Sequence, residues 1–247
     1  MCVTYMVKLI NGDCLEVMKD LTDKSIDLVV VDLPYGCLNG KAKLWDKAID
    51  LEKMWVELKK VCKKNCIYCF FTTTKYGCDL INSNPKWFRY DLVWEKPRAV
   101  GYLSSKKAPL RAHELIYVFG NPNCSNKTYN PQMKTGKPYE IKQQKTNLNY
   151  ANVKNLNHTI NEGTRFPRSV IKFSRDKFSK HSTQKPVDLC EWLIKTYSNE
   201  EDTVLDFTMG SGSTGEACVN INRQFIGIEK DEEIFKIAYD RLIHLNI

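Results

Sequence analysis

Thr203-Val204-Leu205-Asp206-Phe207-Thr208-Met209-Gly210-Ser211-Gly212-Ser213-Thr214-Gly215 is the stretch whose reading decides the fold. Thr203–Phe207 is a short apolar run of the kind that forms a buried strand, and a helical pattern runs on from the glycines to about Asn222. Between them the glycines let the backbone turn sharply and approach a ligand where a Cβ would collide. A second strand, Phe225–Glu229, follows and ends in a carboxylate able to accept both hydroxyls of a ribose. Strand, glycine turn, helix, strand and acid together describe a nucleoside-bearing ligand held at the carboxyl edge of a parallel sheet. Ser213 stands where the lysine of a phosphate-binding P-loop would be, which counts against that reading.

Working outward, strand-like and helix-like segments alternate, which predicts an α/β fold with a largely parallel sheet and helices on both faces. Asp27–Val31 is a continuous apolar strand closed by Asp32. The spacing of Leu51, Met54, Trp55, Leu58, Val61 and Cys62 predicts a core-facing helix. Cys66–Thr72, Leu92–Trp94 and Leu115–Phe119 read as further strands. Pro186 is suited to the first turn of a helix carrying Leu189, Trp192, Leu193 and Tyr197 on one face. A last helix carries Ile234, Ile237, Ala238, Arg241, Leu242 and Leu245.

The chain of 247 residues contains ten cysteines and four histidines. Cys66 and Cys69 have C-x-x-C spacing but sit inside a strand-like run, with no second pair at finger-like spacing. They read as buried thiols of a reducing compartment rather than as metal ligands. With a mean hydropathy of −0.42, no membrane-length apolar run and no signal-like start, the expected location is the cytoplasm.

Charge divides the chain into three. Net charge is +8, yet residues 121–180 alone hold twelve Lys and Arg against three acids, leaving the rest close to neutral. That window is also rich in Asn and poor in apolar periodicity, so it reads as a basic insertion between residues 1–120 and 181–247. Such a charge excess suits a polyanion-binding surface.

The glycine turn satisfies G-x-G-x-x-G through Gly210, Gly212 and Gly215, so alone it leaves nicotinamide and sulfonium cofactors both open. A second motif separates them. Asp32-Leu33-Pro34-Tyr35-Gly36 follows the first strand, and here the chain resembles the amino-group DNA methyltransferases, whose hallmark is Asp-Pro-Pro-Tyr or a near variant. Asn11-Gly12-Asp13-Cys14, Trp94-Glu95-Lys96-Pro97, Arg111-Ala112-His113-Glu114 and His181-Ser182-Thr183-Gln184-Lys185-Pro186 are similar to further family segments. Tetrad first, recognition region next and cofactor turn last is the order of the family's β group.

The resemblance implies a Rossmann-like fold that binds S-adenosylmethionine, with an inserted target-recognition region at 121–180. It implies that the Asp32 carboxylate and the Leu33 carbonyl accept the two hydrogens of a base amino group, while Tyr35 stacks on the base and Pro34 stiffens the turn. Asp206, Phe207, Gly210, Gly212 and Glu229 would line the cofactor, Thr183 and Lys185 would reach its carboxylate, and Asp13 would lie near its adenine. In the insertion, Lys134, Lys137 and Lys142 are expected to meet phosphates, and Arg165 and Arg168 a base or phosphate. Leu33 replaces the usual first proline, but the group required of it is backbone. The implied partner is DNA, with a homodimer and a cognate restriction endonuclease as further candidates and no membrane. Asp32 favours N6 of adenine over N4 of cytosine, since the cytosine enzymes more often begin the tetrad with Ser. A catalytically silent nucleic-acid-binding module is the other class weighed, and a nicotinamide oxidoreductase a distant third.

Overall fold

The computed structural model describes residues 6–36, 47–142, 158–176 and 184–245. Strand β2 (Ile26–Asp32) shows how the main layer is built. Leu28 and Val30 enter one hydrophobic core, while Val29 and Val31 enter another on the opposite face. A strand apolar on both faces must be covered on both.

The sheet comprises β2, β1 (Val7–Asn11), β3 (Cys62–Thr72), β4 (Phe88–Val100), β5 (Arg111–Gly120), β10 (Val170–Lys172), β11 (Thr203–Asp206) and β12 (Gln224–Glu229). Their order across it is β1-β12-β11-β2-β3-β5-β4-β10. Among the described residues, β5 alone runs against its neighbours. On one face lie α4 (Val187–Tyr197), α5 (Ser213–Asn220) and α6 (Glu232–Ile243), which contribute Leu189, Leu193, Cys218, Ala238 and Leu242 to the first core. On the other lie α1 (Cys14–Val17), α2 (Leu51–Val61) and α3 (Thr74–Ser83). From α2, Met54, Trp55, Leu58 and Val61 are buried, each contributing roughly 1.5–3 kcal/mol.

Strands β3, β4 and β5 run beyond the apolar stretches that marked them, and two helix boundaries also differ from the sequence expectation. The helical apolar face was expected to include Cys62, but α2 ends at Val61 and Cys62 opens β3, paired with Ile26. Sheet pairing wins there because the extended backbone gains ladder hydrogen bonds that a last helical turn lacks. Pro186 is the N-cap of α4 and not its first helical residue; lacking an N–H, it suits either place. Cys66 and Cys69 face opposite sides of β3, one in each core, so they cannot share a ligand.

The chain divides into one unit of residues 1–130 with 169–247 and a second of 131–168. The second unit is a ribbon. β6 (Lys134–Thr135) pairs with β9 (Thr164–Arg165), and β7 (Tyr139–Lys142) pairs with β8 (His158–Asn161), both antiparallel. Most of its side chains are exposed, which explains the weak apolar periodicity of this stretch. No helix of the described residues is long and apolar enough to cross a membrane.

Candidate active site

From β2 the chain proceeds to β3 on one side, and from β11 to β12 on the other, so strand order reverses between β11 and β2. Ligands of open α/β sheets bind in the crevice at such a reversal, beyond the carboxyl ends of the strands. Val204 pairs with Leu28 and Leu205 with Val29, which sets Asp206 and Asp32 at neighbouring strand ends although 174 positions separate them in sequence. A cavity of about 790 Å³ opens there, within the larger unit. Asp13, Asp32, Leu33, Pro34, Tyr35, Lys185, Asp206, Phe207, Gly210 and Glu229 all line it.

The tetrad and the glycine turn are tied together directly. Thr208 Oγ1 donates to the Asp32 carbonyl at 2.9 Å, fixing the start of the tetrad from the turn. Asp32 Oδ1 accepts from the Tyr35 hydroxyl at 2.6 Å, and Asp32 Oδ2 accepts from Lys185 Nζ. The Tyr35 ring stands 5.4 Å from that of Tyr76, tilted by 51°. Leu33 is buried, so its side chain anchors the loop in the core beneath the cavity.

Lys185, expected to reach a cofactor carboxylate, stands on the cavity wall among carboxylates of the protein itself. Lys185 is almost enclosed, bonded to Asp32, 3.6 Å from Glu114 Oε2 and 5.2 Å above the Phe71 ring. Glu114 in turn pairs with the buried Lys96. Burial by itself would lower the Lys185 ammonium, but Asp32 and Glu114 outweigh it and hold it above its usual value. Likewise burial would raise Glu114, and Lys185 and Lys96 bring its carboxyl below the usual range. Two cations and two carboxylates so placed neutralise one another, which is the condition for burying any of them.

On the cofactor side, Gly210 has φ +53°, and a Cβ built there meets nothing within 4 Å. The turn therefore presents bare backbone to open cavity. Asp206 Oδ2 accepts from Thr214 Oγ1 at 2.7 Å and Oδ1 from the Thr208 amide at 3.2 Å, while burial pushes its carboxyl up to about 7. Glu229, also raised by burial, takes the Gly210 amide on one oxygen at 3.0 Å and the Asp231 amide on the other at 2.9 Å. Each oxygen keeps a further lone pair for a ribose hydroxyl. Asp13 caps α1 and bonds Lys230 at 2.9 Å, and that ammonium holds its carboxyl below the usual range. An open cradle of backbone with an acid at the next strand end fits a nucleoside-bearing ligand.

Not every expected residue faces the cavity. Gly212 caps α5 with φ +81°, and its Cβ would meet Leu242 and Ala238 of α6 rather than ligand. Phe207 lines the cavity while most of its ring packs into the core beside α1 and α2. Thr183 lies outside the described residues. Lys134, Lys137, Lys142 and Arg168 are exposed on the 131–168 unit. Arg165 is engaged inside that unit, donating to the Thr164 carbonyl at 2.8 Å and to Asn161 and Lys137, 4.6 Å over the Tyr139 ring. Its guanidinium braces the ribbon.

Several contributors were not singled out for a role from sequence. Glu114 and Lys96 stand in segments that resemble the family, but no spacing rule pairs them. Arg241 was read as one more position on the last helix's face. It is buried, paired with Glu216, and donates to the Ser211 carbonyl at 3.1 Å and Ser213 Oγ at 3.2 Å, clamping the glycine turn from α6. An arginine amid apolar helix positions is the signal that could have found it.

Comparison with known proteins agrees with this geometry. The N6_N4_Mtase family model, a DNA methylase, matches residues 26–240. The chain belongs to this amino-group DNA methylase family. It is 28% identical to the Type II methyltransferase M.HinfI of Haemophilus influenzae, over 96% of this chain and 68% of that protein. It is 27% identical to the DNA adenine methyltransferase YhdJ of Escherichia coli (strain K12), over 95% of this chain and 82% of that one. Among solved structures, the M1.HpyAVI–SAM complex superposes with a TM-score of 0.65 at 22% identity, covering 96% of this chain and all of that one.

Proposed function

We propose that this protein methylates N6 of adenine at specific sites in DNA. The observation that carries the reading is the convergence of Asp32, Leu33, Pro34 and Tyr35 on the same cavity as Asp206, Gly210 and Glu229. S-adenosylmethionine, when bound, supplies an electrophilic methyl group. The Gly210 backbone and the Asp206 and Glu229 side chains would hold it, with Asp13 also on the cavity wall.

An adenine amino nitrogen is a poor nucleophile because its lone pair is delocalised into the ring. Asp32 Oδ and the Leu33 carbonyl oxygen accept its two N–H hydrogens, which favours a tetrahedral nitrogen and stabilises the positive charge that develops on it. Asp32 afterwards takes or relays the proton lost. Lys185 must yield part of its hold on Asp32 as the amino group arrives, and Glu114, 3.6 Å away, is placed to receive its charge. Since this nitrogen is inaccessible within a duplex, the base must leave the stack. The basic ribbon, with Lys134, Lys137, Lys142 and Arg168 exposed, suits phosphate contacts that position the duplex. Asp32 supports adenine over cytosine, as does the likeness to a DNA adenine methyltransferase. The Type II relatives support a place in restriction–modification.

The test is to incubate the protein with DNA and labelled S-adenosylmethionine, digest to nucleosides and sequence the modified sites. N6-methyladenine is expected; N4-methylcytosine would overturn the choice of base, and an unlabelled digest the whole reading. Asp32→Ala should lower kcat by at least about a hundredfold while leaving cofactor affinity within a few-fold. An active variant would refute the role given to Asp32.

A further inference from the structure

The turn joining β4 to β5 carries exposed apolar side chains next to the cavity wall. It leaves the cavity wall at Val100 and returns at Arg111, which pair with each other and both line the cavity. Between them, Leu103 is 100% exposed and Tyr102 81%, with Val100 and Leu110 also exposed. The Tyr102 and Leu103 side chains bury little or nothing against the fold. The backbone that presents them is held by local hydrogen bonds. Gly101 turns at φ +93°, the Ser104 amide donates to Gly101 at 2.9 Å, Ser105 to Tyr102 at 3.0 Å, and Lys107 and Ala108 to Ser104 at 2.8 and 3.0 Å. Arg98, Lys106, Lys107 and Arg111 flank the apolar pair, and no acid falls between Pro97 and Ala112.

We propose that this tip is a wedge for duplex DNA, with Tyr102 and Leu103 entering the base stack beside the flipped target and the flanking cations meeting phosphates. The proposal rests on the function argued above. Extruding a base leaves a gap in the stack, and apolar side chains inserted between base steps fill such gaps. Charge selects the occupant. A second copy docked about a two-fold axis would set the four cations of one tip against those of the other, whereas a nucleic acid backbone complements them.

The experiment compares the wild-type chain with the Tyr102→Ala/Leu103→Ala double variant. Three substrates carry the sequence that the wild type methylates: a duplex, the single strand, and a duplex with the target opposite an abasic site. On the duplex the variant should lose about ten- to a hundredfold in kcat/KM. On the single strand and opposite the abasic site, where little stacking must be replaced, it should stay within about threefold of wild type. In the same complexes, 2-aminopurine at the target should brighten with wild type and stay dim with the variant on the duplex. Equal activity on all three substrates, or an equal loss on all three, overturns the wedge. So does a loss accompanied by a change from dimer to monomer in sedimentation, which would assign the tip to a second copy. Failure of the wild type to methylate any DNA is a different result and refutes the underlying function. The pair is exposed, so the variant's unfolding temperature should match the wild type's.

Discussion

At the scale of single residues, the site is governed by where carboxylates are buried and what faces them. Asp32 and Asp206 end adjacent strands, yet Asp32 meets an ammonium and a phenol, whereas Asp206 meets only a hydroxyl and an amide. With its carboxyl near 7, folded Asp206 keeps a proton that the unfolded chain has already lost above the ordinary carboxylate value. Stability of the unliganded protein therefore falls as pH rises through that window and stays low above it. Asp206→Asn does not titrate, and the Thr214 hydroxyl can turn to accept from the new amide. Its unfolding temperature should exceed the wild type's by roughly 5 °C at pH 8, with the gap closing towards pH 4. Thermal melts across that range check this; a gap that widens on acidification would mean that Asp206 is ionised when folded. The positions of Asp32 and Glu229 at strand ends were legible in the sequence, because each ends an apolar run next to a turn; the role proposed for Asp32 came from the family resemblance. The company of Lys185 was not legible, since which ion it meets depends on β5 and β2 lying near α4.

At the scale of elements, the three glycines of the turn look alike in the motif and do different work. Gly210 borders open cavity, whereas a Cβ at Gly215 would come within 2.7 Å of both Leu242 and Phe225. Gly215→Ala should therefore destabilise the protein by about 1–3 kcal/mol, with cofactor affinity of the folded fraction largely kept. Gly210→Ala should cost only about 1–2 kcal/mol in left-handed backbone strain but weaken cofactor binding more than stability. Calorimetric titration alongside thermal melts separates the two, and the reverse pattern would refute the division. Apolar spacing marked the centres of β3, β4 and β5, but these strands run several residues beyond the apolar stretches, and at Cys62 strand and helix compete. There the helix period continues into a residue that strand pairing with Ile26 claims.

For the whole molecule, the charge map and the strand order are the informative features. The basic window contains a ribbon whose Lys134, Lys137, Lys142 and Arg168 are exposed and whose Arg165 is held by its own unit. Replacing those four exposed cations by Ser should flatten the slope of log affinity against log salt, by up to about 0.9 for each phosphate that is no longer neutralised. The same replacement at Arg165 should instead unsettle the ribbon. DNA-binding titrations from low to moderate salt test both, and an unchanged slope would remove the ribbon from the DNA interface.

By itself the sequence determined the alternation of strands and helices, the two motifs at strand ends and the basic insertion between them. Each of these is a local pattern of apolar period, turn chemistry or charge, and local patterns survive in one dimension. Only the tertiary structure decided that β11, far along the chain, lies against β2, so that Thr208 bonds the Asp32 carbonyl and one cavity serves both motifs. It alone decided that Lys185 and Glu114 share a buried charge cluster, that Arg241 clamps the turn, and that Tyr102 and Leu103 stand in water beside the cavity rim. Those outcomes depend on strand order and burial, which arise when segments far apart in the chain pack together, and no spacing along the chain encodes them.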